Sequence, residues 1–193
     1  MRKGLVALSL LLFSSLPLLA QEYSKMEVFG GYQYLRVGNA NIEGYVTDLN
    51  ANGWDATLIY NITHFIGVAA DFSGAYSTKT ISGLGTGHAH EYSYTFGPVF
   101  TFNRKGNLQP FLHALEGGGQ VGASGCAEGG GGCISVPSQS GFLMAAGGGI
   151  DMKFKKSLSI RLVQADWVYT DFSGTTEGKN IRVCAGIVYH FGK

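Results

Sequence analysis

Six carboxylates and two arginines are the side chains best placed to do chemistry together, because each stands at a polar position of a segment in which apolar and polar residues alternate. They are Glu27, Asp55, Asp71, Glu91, Asp151, Arg161, Asp166 and Arg182. Successive residues of a strand point to opposite faces, so all eight would lie on one side of a sheet. Carboxylates and guanidiniums brought together in this way form ion pairs or line a polar path for ions.

Two interpretations of this charged set are open. In a narrow closed sheet an uncompensated buried charge costs several kcal/mol, so the charges must pair and would hold the strands together as a polar plug. The alternative is a narrow, gated path that prefers cations, because acids outnumber arginines in the set. We expect these pairs: Arg161 with Glu27 or Asp151, and Arg182 with Asp166, Asp55 or Glu91.

The other patterns that could support catalysis or ligand binding are weak. His88 and His90 share one face but lack a third metal ligand at a suitable spacing, so we interpret them as solvated histidines. His90 and Ser93 differ in parity and would point to opposite faces, which disfavours a His/Ser hydrolase. The string GGGQVG (117–122) satisfies G-x-G-x-x-G without a strand–turn–helix context, and we expect a mobile loop there. The sequence therefore predicts no catalytic residues, no metal and no cofactor.

The three cysteines fall into two groups. Cys126 and Cys133 bracket the string AEGGGG, and outside the cytoplasm they are a candidate disulfide. Cys184 stands inside an alternating segment, where we expect it to be a small buried residue.

Eight segments with period-two alternation can position these side chains. They span approximately residues 24–37, 53–62, 66–77, 89–102, 109–118, 141–153, 158–171 and 180–191. The intervals between them alternate between long and short. The long ones, predicted to be loops at one end of the sheet, are 38–52, 77–88, 119–140 and 172–179.

The segment EYSYTFGPVFTF (91–102) shows the alternation most clearly, with aromatic rings at nearly every second position. So many rings on one face require an apolar cover, which a second sheet or hydrocarbon can supply. In the seventh segment, one extra residue between Val163 and Ala165, a bulge, would keep Arg161 on the inner face. The fifth segment stays unassigned, because one phase puts His113 outward and the other puts Glu116 outward.

Residues 1–20 have the pattern of a secretory signal: Arg2 and Lys3, a largely apolar run, and Ala20 before a polar sequence. The predicted mature domain is 21–193. Removal of the signal leaves one more acidic than basic residue, and this near-neutral balance argues against nucleic acid as a partner. Charged residues make up only 14% of the chain and there are 30 glycines, which favours strands and turns over helices.

These segments resemble the small bacterial outer-membrane barrels of the OmpA/OmpX type, over essentially the whole mature chain. The matching stretches include EVFGGYQYLR (27–36), GWDATLIYN (53–61), FGPVFTF (96–102) and IRVCAGIVYHFG (181–192). The resemblance implies an all-β, eight-stranded antiparallel up-and-down transmembrane barrel in the cell outer membrane, monomeric and in contact with outer-membrane lipid and lipopolysaccharide. The final strand, ending at Phe191, is similar to the signal that the barrel-assembly machinery recognises.

The fold alone does not decide function, because it supports several. We favour a structural or surface-interaction role, with the long loops contacting an unknown partner. A small cation-preferring, porin-like channel is the alternative, and a lipid-modifying enzyme is a further one. A soluble barrel of the lipocalin type would need an apolar interior, whereas here the charged face would point inward.

Overall fold

A computed structural model describes residues 23–42, 45–81, 85–127, 132–172 and 175–192; the predicted signal at 1–20 lies outside them. The strands are β1 (Met26–Ile42), β2 (Tyr45–Asn61), β3 (Ile66–Ile81), β4 (Gly85–Thr101), β5 (Leu108–Cys126), β6 (Cys133–Lys155), β7 (Leu158–Phe172) and β8 (Thr175–Phe191). Each strand pairs antiparallel with the next, and β1 pairs with β8, which closes the barrel. The predicted eight-stranded up-and-down topology is confirmed. Within the described ranges, no helix is long and apolar enough to cross a membrane.

The strands extend well beyond the predicted segments, and the prediction of four long loops is wrong. The first predicted loop, for example, is largely a continuation of the β1–β2 ladder, which still pairs Ile42 with Tyr45. GGGQVG likewise lies within β5 and not in a mobile loop. Backbone pairing can continue where the side-chain alternation ends, because the ladder is formed by main-chain hydrogen bonds.

An apolar belt covers the outside of the barrel, as the alternation predicts. Tyr32 keeps 55% of its surface exposed, whereas Asp71 and Arg182 on the inner face keep 0% and 3%. The outward rings also contact one another, and the hydroxyls of Tyr76 and Tyr92 lie 3.1 Å apart. A closed sheet with its rings outside and its charges inside is suited to span a bilayer, because within the barrel wall each strand is paired on both sides.

Two facing questions are decided by the structure. In β5, His113 is buried inside the barrel and Glu116 is exposed on the outer face. In β7 the extra residue is not between Val163 and Ala165: Leu162 and Val163 both face outward, and the ladder to β8 shifts between Arg161 and Gln164. The bulge therefore lies one step earlier than predicted, although its predicted consequence for Arg161 holds.

One end of the barrel carries the three connections 62–65, 102–107 and 156–157, together with both ends of the described chain. Lys25 N donates to the carbonyl of Gly192 there. We call this the periplasmic end, since short turns of outer-membrane barrels face the periplasm, and we call the opposite end external.

Candidate functional site

Arg182 is the centre of a buried charge cluster in the middle of the barrel. Its Nη1 lies 2.9 Å from Asp71 Oδ1 and 3.2 Å from Asp55 Oδ2, and its Nε donates to Asp166 Oδ2 at 2.9 Å. The four side chains come from β8, β3, β2 and β7, so one guanidinium joins strands on different sides of the barrel. Thr57 also donates to Asp71, at 2.9 Å. All of these side chains are buried.

Asp166 is bound from two further directions. His113 Nε2 lies 2.7 Å from its Oδ1, and Gln164 Nε2 donates to its Oδ2 at 2.8 Å. The sequence did not predict either contact. The facing of His113 was left open, and the facing of Gln164 depends on where the β7 bulge lies. A carboxylate with this many donors is held in one position.

Arg161 forms the second half of the same network. Its Nε and Nη2 donate to the two oxygens of Asp151 at 2.8 and 3.1 Å, and its Nη1 donates to Gln164 Oε1 at 2.7 Å. The rings of Phe29 and Phe111 lie on the guanidinium, with centroids 4.3 and 4.2 Å from its central carbon. Gln164 therefore links the Arg161 pair to the Arg182 cluster through one continuous chain of hydrogen bonds.

Glycines make room for these two rings. A Cβ atom at Gly31 or Gly186 would come within 2.6 or 2.9 Å of the Phe29 ring, and one at Gly149 within 2.8 Å of the Phe111 ring. The inner wall is thus flat where the aromatic side chains lie against it. This explains why glycines occur at inward positions of the strands.

A separate cluster closes the periplasmic mouth. Glu27 accepts hydrogen bonds from Arg104 Nη1 and Asn61 Nδ2, each at 2.7 Å, and from Ser24. Arg104 belongs to the connection between β4 and β5, and its side chain is buried in the barrel mouth. Sequence reasoning missed this residue, because a turn carries no alternation that would show where its side chain points.

His190 in this cluster has neighbours that resemble a nucleophile, a base and an acid. Its Nε2 lies 2.7 Å from Ser159 Oγ, while its Nδ1 lies 3.2 Å from Ser24 Oγ and 3.7 Å from Glu27 Oε1. Ser159 has no exposed surface, and the cavity beside His190 measures only about 20 Å³. A substrate could not reach that hydroxyl, so these contacts serve to hold β1, β7 and β8 together.

The charges of the described interior come close to balance. Five buried carboxylates, including Glu27 and Asp151, accompany three buried arginines and two buried histidines. The three buried arginines therefore leave an excess of two carboxylates, against four in the predicted set. The excess of acidic over basic side chains, which favoured a cation path, is therefore smaller than the predicted set of eight charged residues indicates. Glu91, the remaining member of that set, lines a cavity in the external half.

The β5–β6 hairpin projects beyond the barrel at the external end. Its strands pair from Val121↔Gln139 to Cys126↔Cys133, and a disulfide joins the two cysteines. In the described chain β6 pairs with β7 only from Gly141 onward, so the preceding residues of β6 have β5 on one side only. Every residue from 133 to 140 is exposed. We call residues 121–127 and 132–140 the external hairpin.

The described residues contain no group of three side chains that could hold a metal ion. His88 instead lies with its Nδ1 3.0 Å from Thr78 Oγ1 in the β3–β4 ladder. Its position fits the interpretation of a surface histidine at the external end.

No protein-family model matches the chain, and no curated protein matches it. Solved structures do. The attachment invasion locus protein Ail of Yersinia pestis has a TM-score of 0.64 at 24% identity, over 88% of this chain and 99% of that one. Neisserial surface protein A has a TM-score of 0.58 at 15% identity, over 89% of this chain and 100% of that one. The outer membrane protein OprG of Pseudomonas aeruginosa has a TM-score of 0.54 at 11% identity, over 89% of this chain and 97% of that one. Membership of the OmpA/OmpX-type family stays a prediction. By its fold and its lipid-facing surface, the chain is an outer-membrane β-barrel.

Proposed function

We propose that this protein is a non-enzymatic, monomeric surface-interaction protein that contacts a partner through the external hairpin. The observation that carries the proposal is an exposed apolar pair on β6: Ile134 keeps 76% of its surface exposed and Val136 keeps 51%. Both lie beyond the part of β6 that pairs with β7, and Val136 also lines a cavity in the external half of the barrel. Exposed apolar side chains on a paired, disulfide-linked hairpin suit a protein partner that covers them.

The backbone of the hairpin supports the same proposal. The outer edge of β6 from residue 133 to 140 has no strand beside it among the described residues, so its N–H and C=O groups can pair with an added strand. Pro137 interrupts this edge because it lacks an N–H. We infer that the partner adds a short strand or packs on the apolar pair, without extending into a long sheet.

The closed interior supports an interaction role over the channel alternative. The Arg161 and Arg182 clusters occupy the middle of the barrel, and Arg104 occupies the periplasmic mouth. A path for ions would require these buried pairs to separate, which costs several kcal/mol for each uncompensated charge.

The remaining partners in the proposal follow from position along the chain. Residues 1–20 act as the export signal, the apolar belt contacts outer-membrane lipid and lipopolysaccharide, and the final strand ending at Phe191 is recognised by the barrel-assembly machinery. Phe191 keeps 46% of its surface exposed on the outer face, which makes its ring accessible to such a partner.

The test compares cells that carry the wild type, Ile134→Ser/Val136→Ser, and Ser140→Ala as a matched exposed control. Retention is measured on immobilised extracellular-matrix proteins and on a sulfated polysaccharide, because the Ail structure was also solved with the heparin analogue sucrose octasulfate. We expect the double variant to lose at least about tenfold in retention on a protein surface, while the control is unchanged. Equal retention of all three, or retention on the polysaccharide alone that salt abolishes, would contradict the proposal.

A further inference from the structure

The external half of the barrel contains a cavity whose wall is formed partly by the external hairpin, including Val136 and Pro137. It measures about 400 Å³, which falls in the range of small-molecule sites in proteins. Its walls include the buried apolar cluster of Leu35, Ala51 and Ala75, against which Val37 packs. None of the side chains in the Arg104, Arg161 and Arg182 clusters is among the residues that line it.

One polar atom in the cavity has no partner. Asn180 is only 3% exposed and donates through Nδ2 to Thr170 Oγ1 at 3.3 Å, and both residues line the cavity. Its Oδ1 is buried and accepts no hydrogen bond from any residue that the structure describes. A buried carbonyl oxygen without a donor is unusual, since nearly all such groups are satisfied. A bound molecule that donates a hydrogen bond would satisfy it.

The charge near the cavity favours a cationic donor. Glu91 lines the cavity from β4, on the opposite side of the barrel from Asn180 on β8. A ligand with a cationic group suits a wall that carries a carboxylate, whereas an anionic ligand would meet a like charge there. Below the cavity, the Arg182 cluster occupies the barrel and closes the way to the periplasmic end.

We propose that the external cavity is a blind binding pocket for a small, mainly apolar amine, whose hydrocarbon part packs against the Leu35 cluster and whose ammonium group donates to Asn180 Oδ1. The molecule enters from outside the cell and is held there without passage through the barrel. The cavity shares Val136 with the apolar pair of the external hairpin, but the inference stands whether or not that hairpin binds a partner.

The experiment uses the mature barrel in lipid nanodiscs and four probes that share a phenyl group and a four-carbon chain: 4-phenylbutylamine, 4-phenylbutanol, 4-phenylbutyrate and butylbenzene, which has no polar group. Binding is measured by calorimetry. We expect the amine to bind most tightly, the alcohol more weakly by about threefold to tenfold, and the acid not at all. Absence of amine binding at millimolar concentration, or tighter binding of the acid, would overturn the proposal.

Three variants locate the site. Ala75→Leu fills the cavity and should weaken amine binding at least about tenfold, while Ala114→Leu, the same change on the exposed outer face, should leave it unchanged. Asn180→Leu preserves the shape of the cavity and removes the acceptor oxygen. It should therefore weaken binding of the amine and the alcohol about fivefold or more, and leave binding of butylbenzene unchanged. It also keeps the proposal testable if Ala75→Leu does not fold. Equal amine affinity in wild type and Asn180→Leu would overturn the role of Asn180. Ile134 and Val136 are unchanged in all three variants, so absence of amine binding in wild type leaves the proposed function standing.

Discussion

Removal of the Arg161 side chain tests whether the interior charge network stabilises the barrel or lines a path for ions. Arg161→Ala leaves Asp151 buried without its bidentate partner. It also removes the donor that Arg161 provides to Gln164 Oε1. It also removes the cation that lies between Phe29 and Phe111. Breaking one partner of a buried ion pair costs about 3–5 kcal/mol, and each cation–π contact about 0.5–2 kcal/mol. Neighbouring groups can relax into the space that the deleted side chain leaves, which offsets the cation–π terms. We therefore expect a total loss of about 3–5 kcal/mol in the free energy of unfolding.

Urea unfolding in phospholipid vesicles measures this loss. Trp54 and Trp167 both lie on the lipid-facing surface, so their fluorescence shifts when the strands leave the bilayer. Lys155→Ala, which removes an exposed cation, is the control and should change the unfolding free energy by less than about 0.5 kcal/mol.

The double variant Asp151→Ala/Arg161→Ala separates loss of the pair from loss of one charge. It leaves no unpaired carboxylate, so we expect it to be more stable than Arg161→Ala by about 1–3 kcal/mol. Planar-bilayer conductance is recorded on the same preparations. A rise in conductance with unchanged unfolding free energy in Arg161→Ala would refute the plug and favour the cation path.

Three further predictions concern the ends and the outer face of the barrel. Cys126→Ser/Cys133→Ser should lower the unfolding free energy by about 2–3 kcal/mol, the value that chain entropy gives for so short a loop. Wild type measured under reductant should lose the same amount. Arg104→Ala should lower the unfolding free energy in urea by about 1–3 kcal/mol, since Glu27 keeps its other donors. Its conductance should stay at background because the central clusters remain, whereas open channels would show that Arg104 is a gate. Glu116→Gln on the outer face should raise the unfolding free energy, measured by urea in vesicles, by up to about 1 kcal/mol, and a loss of stability would indicate a partner for that carboxylate.

Much of the interior was predictable because it depends on parity alone. Asp151 and Arg161 were expected to pair, as were Arg182 and Asp166, since each stands at an inward position of a strand. Parity decides which face a side chain occupies but not its height in the barrel. Arg182 therefore also binds Asp71, which was not among its expected partners, while Glu91 lines the external cavity.

The sequence by itself determined that a closed sheet would carry its rings toward hydrocarbon and its charges inside, because a strand has only two faces and these two faces differ along most of the chain. Only the tertiary structure decided where Arg104 points, which way His113 faces and where the β7 bulge lies. It also decided that Asn180 stands in an apolar cavity without a donor. These features depend on strand register and on contacts across the barrel between strands far apart in sequence, and no local pattern encodes such distances.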